Sequence, residues 1–322
     1  MMDAYANISR SDIEAAHVRI APYIHRTPVL TCRSLDALTG CSLFFKCENF
    51  QKVGAFKIRG ALNAALSLSK EEVSGGLATH SSGNHAQAVA YAARQLGVKA
   101  HIVMPETAPG VKVNAVRSYG GDITFCAPNQ VAREATLREI LARTGAAFIH
   151  PYDDDRVICG QATCAKELIE TVSDLEAIVT PVGGGGLLSG TSLSAHYLSP
   201  DTAVYAGEPE GAADAVLSFR SGRVEKAPYL NTIADGLLTT LSERTLRIIA
   251  RHVKDIFSVS DDEILSALRL VYERMKLVIE PSCAVPLATV LKHREVFAGR
   301  RVGIILSGGN VDLSRLAEWF RP

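Results

Sequence analysis

The chain has 322 residues, of which 47% are hydrophobic and 21% are charged, so it is long enough for about two globular domains with a large core. Thirty-four Lys and Arg residues balance 34 Asp and Glu residues, which excludes the strong field of a protein that binds nucleic acid or an anionic membrane. The seven cysteines are odd in number and include no C-x-x-C pair, which argues against a disulfide scaffold and a zinc cluster.

We expect no targeting signal in the N-terminal region. Residues 1–8 lack a basic start followed by an apolar run, and no stretch reaches the ~18 apolar residues of a membrane span, so we expect a cytoplasmic protein. The first predicted helix starts at Ser11, because residues 11–14 have the spacing of a capping box and residues 15–20 alternate at helical period.

Beyond residue 40 the chain alternates short β-branched runs with longer helical patterns, which indicates parallel strands joined by helical crossovers. The predicted strands cover residues 43–47, 77–80, 99–104, 122–126, 147–149, 177–182, 203–207 and 302–306. Helices are predicted over residues 85–96 and 133–143, each closed by a nearby glycine, and from residue 187 to about residue 196. The predicted fold class is α/β.

Two weak breaks, Gly75-Gly76 and the region of His150-Pro151, are the candidate domain boundaries. No repeat or low-complexity linker marks a boundary more strongly. The breaks predict a small inserted domain, residues 75–149, within a large domain formed by residues 1–74 and 150–322.

Lys57 lies at the start of a predicted helix, in the segment Gly54-Ala55-Phe56-Lys57-Ile58-Arg59-Gly60. A lysine amine can form a Schiff base with pyridoxal phosphate, and the small preceding residues leave room for that cofactor. The like charge of Arg59 is expected to lower the pKa of Lys57. Taken alone, a lysine in such a segment is also typical of a solvated surface cation.

A second candidate is the loop Ser81-Ser82-Gly83-Asn84-His85, which lies between a predicted strand and the helix that begins near His85. The free N–H groups and positive dipole of a helix N-terminus suit a substrate carboxylate. An ordinary N-cap with turn residues is the alternative interpretation.

Four glycines in a row, Gly183, Gly184, Gly185 and Gly186, follow a predicted strand and open a helix. They allow a ligand to approach the backbone closely, and a phosphate at the helix N-terminus fits this pattern. A dinucleotide loop is the rival, but Leu188 or Ser189 stands where the third glycine of its fingerprint would be.

Two further strand ends carry polar residues. Ser307, followed by two glycines and Asn310, ends the last predicted strand, where open α/β sheets bind ligands; a structural turn is the alternative. Glu208 and Asp214 follow the strand at residues 203–207, and with a carbonyl between them they can supply oxygen ligands to Mg²⁺ or Ca²⁺. Acidic loops without a metal are also common.

Taken in order, these segments resemble the fold-type II pyridoxal phosphate enzymes, whose fold is that of tryptophan synthase β, and in particular the serine/threonine dehydratase and serine racemase family. The resemblance extends from about His17 to Val311. It rests on nine ordered blocks: Arg26-Thr27-Pro28-Val29, Phe45-Lys46-Cys47-Glu48, the Lys57 segment, Ser81-Ser82-Gly83-Asn84-His85, Gly160-Gln161-Ala162-Thr163, residues 181–186, Ile233-Ala234-Asp235-Gly236, Glu280-Pro281 and Ser307-Gly308-Gly309-Asn310.

The resemblance implies two domains, each with a mainly parallel sheet flanked by helices, and it implies roles around the cofactor. Lys57 would bind pyridoxal phosphate and act as the base, Phe56 would pack against the ring, and Ser307 would face the pyridine nitrogen. Asn84 would hydrogen-bond the ring hydroxyl, and the four glycines at 183–186 would bind the phosphate.

The resemblance also implies a substrate site and regulatory sites. The substrate carboxylate would be surrounded by Ser81, Ser82, Asn84 and His85. The family's divalent-cation site, for Mg²⁺, Ca²⁺ or Mn²⁺, matches Glu208, the carbonyl of Ala212 and Asp214. Arg133 and Tyr119 occupy positions that influence closure, and Arg133 is also a candidate substrate ligand. Lys52 with Asn310 resembles part of a nucleotide site, which makes ATP a candidate effector, and family members commonly form homodimers.

The implied reaction is β-elimination from a β-hydroxy amino acid. Lys57 removes the α-proton, the β-hydroxyl leaves, and hydrolysis yields ammonia and an oxo acid, which is pyruvate from L-serine and 2-oxobutyrate from L-threonine. A neutral Ser307 at the pyridine nitrogen would not stabilise a protonated ring, which favours elimination over transamination.

Serine racemase, with or without dehydratase activity, and 3-hydroxyaspartate dehydratase are the alternatives. Ser82 stands where racemising members carry an acid, whereas Pro151-Tyr152-Asp153-Asp154 resembles the dehydratase version of its segment. The sequence ends one helix after Ser307, so no C-terminal regulatory domain is expected. A non-catalytic metabolite sensor that uses the same glycine loops is the hypothesis from another class.

Overall fold

The computed structural model describes residues 8–320, and its strands form two sheets. The expectation of no targeting signal rests on residues 1–8, of which residues 1–7 lie outside that range. The strands are β1 (Val29–Leu30), β2 (Ser42–Cys47), β3 (Leu77–His80), β4 (Ala100–Pro105), β5 (Gly121–Cys126), β6 (Ala147–Phe148), β7 (Ala177–Pro181), β8 (Ala203–Pro209), β9 (Asp255–Val259) and β10 (Arg301–Leu306).

Helices flank both sheets. They are α1 (Arg10–Ile20), α2 (Arg33–Thr39), α3 (Lys57–Leu66), α4 (Asn84–Leu96), α5 (Gly110–Ser118), α6 (Gln130–Thr144), α7 (Asp155–Thr171), α8 (Gly186–Leu198), α9 (Asp214–Ser221), α10 (Glu243–His252), α11 (Asp261–Leu270), α12 (Pro281–Lys292), α13 (Arg294–Phe297) and α14 (Leu313–Trp319). Within residues 8–320, none of the helices combines the length and apolar character needed to cross a membrane.

The larger sheet has the strand order β1-β2-β10-β7-β8-β9, and the smaller has the order β5-β4-β3-β6. Every pairing is parallel except that of β1 with β2, where Val29 faces Lys46. The predicted α/β class with parallel sheets is therefore confirmed, and every predicted strand forms. The prediction lacks β1 and β9, because β1 is only two residues long and Asp255 and Ser258 interrupt the apolar pattern of β9.

The first helix begins one residue earlier than predicted and uses a different cap. Ser9 is the N-cap: its Oγ accepts the Asp12 N–H, and its own N–H donates to the Asp12 carboxylate at 2.8 Å. The predicted start at Ser11 is wrong because Ser9 and Asp12 have the same spacing and satisfy both free backbone donors.

The two largest hydrophobic clusters among residues 8–320 each pack helices against one sheet. The larger cluster packs α11 and α12 against the larger sheet. The second joins α3 and α4 to the smaller sheet through Ile58, Leu62, Val89 and Ile102, all completely buried. Strands β3–β6 lie within residues 75–149, whereas α3, which packs on their sheet, precedes that range, so the domain boundaries stay a prediction.

Glycines bring α3, α7 and α8 into close contact. A Cβ atom on Gly160 would lie 2.4 Å from the carbonyl oxygen of Arg59, and one on Gly190 would lie 2.6 Å from the backbone nitrogen of Ala162. No larger residue fits at either position without moving the backbone. The close packing fixes α8, which begins in the four-glycine loop, relative to α3, which begins at Lys57.

Candidate active site

Backbone hydrogen bonds join the segment before Lys57 to the segment that begins with Ser307. The Phe56 N–H donates to the Ser307 carbonyl at 3.0 Å, and the Gly309 N–H donates to the Gly54 carbonyl at 2.9 Å. This short antiparallel ladder aligns the start of α3 with the end of β10. The structure thereby brings Lys57 and Ser307 together, although they are far apart in the sequence.

The amine of Lys57 is enclosed, although the residue as a whole keeps partial exposure. Its Nζ donates to the Pro151 carbonyl at 2.9 Å and lies 5.2 Å from the centroid of the Phe56 ring. Burial lowers the pKa of Lys57 from 10.5 to about 8, and the negative charge of Glu280 acts in the opposite direction. The expectation that Arg59 causes this shift is wrong.

Arg59 is engaged in a buried ion-pair cluster. Its guanidinium donates to Glu48 at 2.7 Å and to Glu167 at 2.8 Å, and Lys46 donates to Glu167 at 2.6 Å. All four side chains are at most 1% exposed, so two cations and two carboxylates are matched within the core. The cluster ties the end of β2 to α3 and α7.

The loop at residues 81–85 leads from β3 into the N-terminus of α4. Gly83 is the N-cap and provides no side-chain cap, so the first N–H groups of the helix are available to a ligand. A Cβ atom on Gly83 would meet nothing within 4 Å, which shows open space beside the loop. This geometry suits the predicted carboxylate site around Ser81 and Ser82, which stays a prediction.

His85 is buried close to the Lys57 amine and is neutral. Its Nε2 lies 2.9 Å from the Ile149 carbonyl, which can only accept, so Nε2 carries the proton. Burial, with a further effect of the Lys57 charge, lowers the pKa of His85 well below 6.5. Within residues 8–320 its Nδ1 has no partner, and this lone pair cannot donate to a carboxylate. His85 can contribute to the predicted carboxylate site only through its backbone N–H.

Glu280 is a site residue that the predicted set lacks. Its carboxylate accepts from Asn84 Nδ2 at 2.8 Å, and Asn84 Oδ1 accepts from Asn310 Nδ2 at 2.8 Å. Burial, with the negative charge of Asp235, raises the pKa of Glu280 to about 7. In the sequence, an acid before Pro281 at a helix start is typical of an N-cap, but Glu280 makes no side-chain cap and turns into the site.

The four-glycine loop at residues 183–186 is buried and opens α8. Gly185 has φ of 86°, a left-handed conformation that favours glycine. A Cβ atom on Gly184 would lie 2.2 Å from the ring of Tyr152, and one on Gly185 would lie 2.8 Å from Leu241. Packing requires these glycines, and the helix N-terminus they open fits the predicted phosphate.

The predicted cation site is a buried pair of carboxylates. Burial raises the pKa of Glu208 to about 8, with a contribution from Asp214, and it raises the pKa of Asp214 to about 6. A cation between them would favour the charged form of both carboxylates and so oppose both shifts. Within the described chain, no group of three or more His, Cys, Asp or Glu side chains could hold a metal. A cation here would therefore need further ligands such as the Ala212 carbonyl and water.

The remaining predicted residues lie around the smaller sheet. Arg133 is on α6, and its buried Nε has no hydrogen-bond partner within residues 8–320. Burial, and to a smaller extent the charge of Arg133, lowers the pKa of His80, the residue before the 81–85 loop. The rings of Tyr119 and Tyr91 meet edge to face at 5.8 Å, and Lys52 Nζ lies 5.9 Å from the Tyr91 ring centroid.

Comparison with known proteins gives concordant results. Residues 20–308 match the model of the family described as "Pyridoxal-phosphate dependent enzyme". The chain is 52% identical over 305 residues to a β-hydroxyaspartate dehydratase of Paracoccus denitrificans, covering 95% of this chain and 97% of that protein. It is 49% identical over 321 residues to a serine racemase of Dictyostelium discoideum, covering 98% and 99%. The structure of maize serine racemase matches with a TM-score of 0.95 at 44% identity, over 97% of each chain.

Proposed function

The chain belongs to the fold-type II pyridoxal-phosphate dependent enzymes, in the family of the serine racemases and hydroxyaspartate dehydratases, and we propose that it catalyses β-elimination of a β-hydroxy amino acid. The products would be an oxo acid and ammonia, with L-serine and L-threonine as substrates. The observation that carries the proposal is the enclosed amine of Lys57, with a pKa of about 8, aligned with Ser307. An amine of this pKa is neutral in a much larger fraction near physiological pH than an ordinary lysine, and its neutral form can accept a proton.

The residues around Lys57 fit the cofactor. Lys57 would hold pyridoxal phosphate by its amine, Ser307 would contact the ring nitrogen, and the glycines at 183–186 would hold the phosphate. The unpaired Nδ1 of His85 is a buried acceptor that a donor group of a ligand would satisfy. The bound cofactor supplies an electron sink.

The protein's own groups would then act on the substrate. The free N–H groups at the start of α4 would hold its carboxylate, and Nζ of Lys57 would take its α-proton. Oxo-acid formation from L-serine and L-threonine tests the proposal. Lys57→Ala should lower kcat by about 10²–10⁴-fold or more, and full activity of that variant would refute the proposal.

A second candidate substrate is 3-hydroxyaspartate, and Arg133 is the observation that favours it. Its buried Nε has no hydrogen-bond partner within residues 8–320. Its charge contributes to the lowered pKa of His80, which lies next to the loop at residues 81–85. A guanidinium in this position suits a second carboxylate. The relative at 52% identity is a β-hydroxyaspartate dehydratase, which supports this choice.

Substrate comparison tests the role of Arg133. Arg133→Met should reduce kcat/KM for 3-hydroxyaspartate about 30-fold more than for L-serine, as expected for loss of a charged hydrogen bond. Equal reductions of kcat/KM for both substrates would show that Arg133 does not bind the second carboxylate.

Chiral analysis of unreacted serine tests the racemase alternative. A racemase brings the two enantiomers toward equal amounts, whereas a lyase depletes only one. If Ser82 carries the second proton, Ser82→Ala should abolish racemisation and spare elimination of L-serine. A cytoplasmic location, a homodimer and ATP as an effector stay predictions.

A further inference from the structure

Val53, four residues before Lys57, has a backbone conformation that valine rarely adopts. Its φ is 57° and its ψ is 14°, in the left-handed region. Within residues 8–320, only Val53, Asp174 and Lys276 among the non-glycine residues have positive φ, and Val53 is the β-branched one. A buried valine in this region is strained and persists only where surrounding contacts hold it.

The contact that holds Val53 comes from Asn310. Asn310 Nδ2 donates to the Val53 carbonyl at 2.8 Å. Gly54 is also left-handed, with φ of 69°, and a Cβ atom there would lie 2.6 Å from Asn310 Oδ1. Because Ala55 and Gly308 form an antiparallel bridge, the Asn310 side chain extends the ladder between these segments by one rung.

The second hydrogen of the same amide reaches the substrate loop. Asn310 Nδ2 also donates to Asn84 Oδ1 at 2.8 Å, and Asn84 Nδ2 donates to Glu280 at 2.8 Å. The backbone N–H of Asn310 also lowers the pKa of Glu280, so Asn310 contributes to the environment of that carboxylate. Both amide hydrogens of Asn310 are therefore used inside the protein, and only its Oδ1 is left for the nucleotide expected beside Lys52.

We propose that Asn310 is a positioning residue that holds Val53 and Gly54 in their left-handed conformations and thereby fixes Lys57 and Asn84 relative to the cofactor. One amide joins three segments: the loop before α3, the N-terminus of α4 and the loop after β10. The inference rests on the proposed role of Lys57 as the cofactor-binding amine, but it does not depend on which substrate is used.

The test measures cofactor binding in the absence of substrate. The dissociation constant of pyridoxal phosphate and the pH midpoint of its bound absorbance are determined for the full chain. Asn310→Ala should raise the dissociation constant about tenfold, as expected for loss of one buried hydrogen bond, and should shift the midpoint. Asn49→Ala is the matched control, because Asn49 Nδ2 donates at 3.3 Å to a different carbonyl, that of Val278. It should leave both values unchanged.

A double-mutant cycle between Asn310 and Val53 tests whether Asn310 acts by holding the strained backbone of Val53. Glycine adopts the left-handed conformation without help, so Asn310→Ala should weaken binding less than about threefold when Val53→Gly is already present. An equal loss with Val or Gly at position 53 would overturn the proposal. The proposal would also be overturned if Asn310→Ala lowered Tm but left the pH midpoint of the cofactor absorbance unchanged, because a purely structural role predicts that result.

Two further variants keep the outcome interpretable. If Asn310→Ala does not fold, Asn310→Leu gives the comparison, because leucine has a similar branched shape, lacks the N–H donors and adds no charge. Lys57→Ala separates the two proposals: a normal cofactor adduct in that variant would refute the proposed function, whereas the Asn310 cycle can fail while Lys57 still binds the cofactor.

Discussion

Lys57, His85 and Glu280 are all shifted toward their neutral forms, and burial is the largest cause in each. The pKa of Lys57 is lowered to about 8, that of His85 falls well below 6.5, and that of Glu280 is raised to about 7. Removal from water disfavours whichever form is charged. Two of the three groups can therefore exchange a proton near neutral pH, as acid–base chemistry requires.

The pKa of Lys57 predicts how cofactor capture depends on pH. Only the neutral amine attacks the aldehyde, so the association rate of pyridoxal phosphate with the apoprotein should rise with pH around a midpoint of about 8 instead of 10.5. Stopped-flow absorbance measures the rate, with a small primary amine as the control. Glu280→Gln should lower the midpoint, because the Glu280 charge raises the pKa of Lys57. A midpoint near 10.5 would contradict the enclosed amine.

The sequence predicts candidate residues of the site more readily than it predicts the cause of their pKa values. Lys57, Ser307 and the four glycines follow from local patterns at helix starts and strand ends. The pairing of Glu280 with Asn84 joins residues 196 positions apart, and no local pattern indicates it. Likewise, the neutral ring of His85 depends on the Ile149 carbonyl, and the engagement of Arg59 depends on Glu167, on another helix.

At the scale of elements, the ion-pair cluster of Arg59, Lys46, Glu48 and Glu167 predicts a stability difference. Glu167→Gln would leave buried cations uncompensated and should lower the free energy of unfolding by about 3–5 kcal/mol. Glu14→Gln removes an exposed pair with Arg10 on α1 and should cost about 0.5 kcal/mol or less. Urea unfolding measures both. Equal effects would show that the buried cluster does not stabilise the fold.

The contact of α3 with α7 predicts intolerance of side chains at Gly160. Gly160→Ala would force a Cβ atom to within 2.4 Å of the Arg59 carbonyl and should destabilise the protein by about 3 kcal/mol or more. Gly110, at the start of α5, has nothing within 4 Å of its Cβ position, so Gly110→Ala should be neutral or stabilise by up to about 1 kcal/mol. Thermal unfolding compares them, and a tolerated Gly160→Ala would mean that the helices can separate.

Helices and strands are predicted correctly where the sequence pattern is long. They are missed or misplaced where the pattern covers only a few residues or where two capping patterns overlap. The alternation of strands and helices predicts the parallel sheets because each strand is an apolar run between turns. The start of α1 is misplaced because two overlapping capping boxes exist and the sequence does not rank them. The two-residue β1 forms only because β2 lies beside it, which depends on the tertiary fold.

At the scale of the whole molecule, residues 231–241 connect the predicted cation site to the rest of the fold. The Asn231 N–H donates to the Gly211 carbonyl at 2.8 Å, and the Leu241 N–H donates to the Asp214 carboxylate at 3.2 Å. Between them, Asp235 forms an ion pair with Lys112 of α5, on the smaller sheet's side. A cation that restrains Asp214 should therefore also restrain residues 231–241 and, through Asp235 and Lys112, the smaller sheet's side of the fold.

This connection predicts a wide effect of Mg²⁺. Saturating Mg²⁺ should raise Tm by a few degrees and slow hydrogen exchange across residues 231–241, because a bound ion stabilises the native state. Glu208→Gln should abolish both effects. Glu210→Gln is the matched control, since Glu210 pairs with Lys292 on the surface. Protection confined to residues 208–214 would contradict the connection.

The position of β10 in the larger sheet affects how the protein can fold during synthesis. This strand, residues 301–306, lies between β2 and β7, which are made much earlier. Until it leaves the ribosome, those two strands lack their shared neighbour and expose unpaired edges. Nascent chains truncated before residue 301 should therefore require chaperones and aggregate when released without them, and the native sheet should assemble only after β10 has emerged.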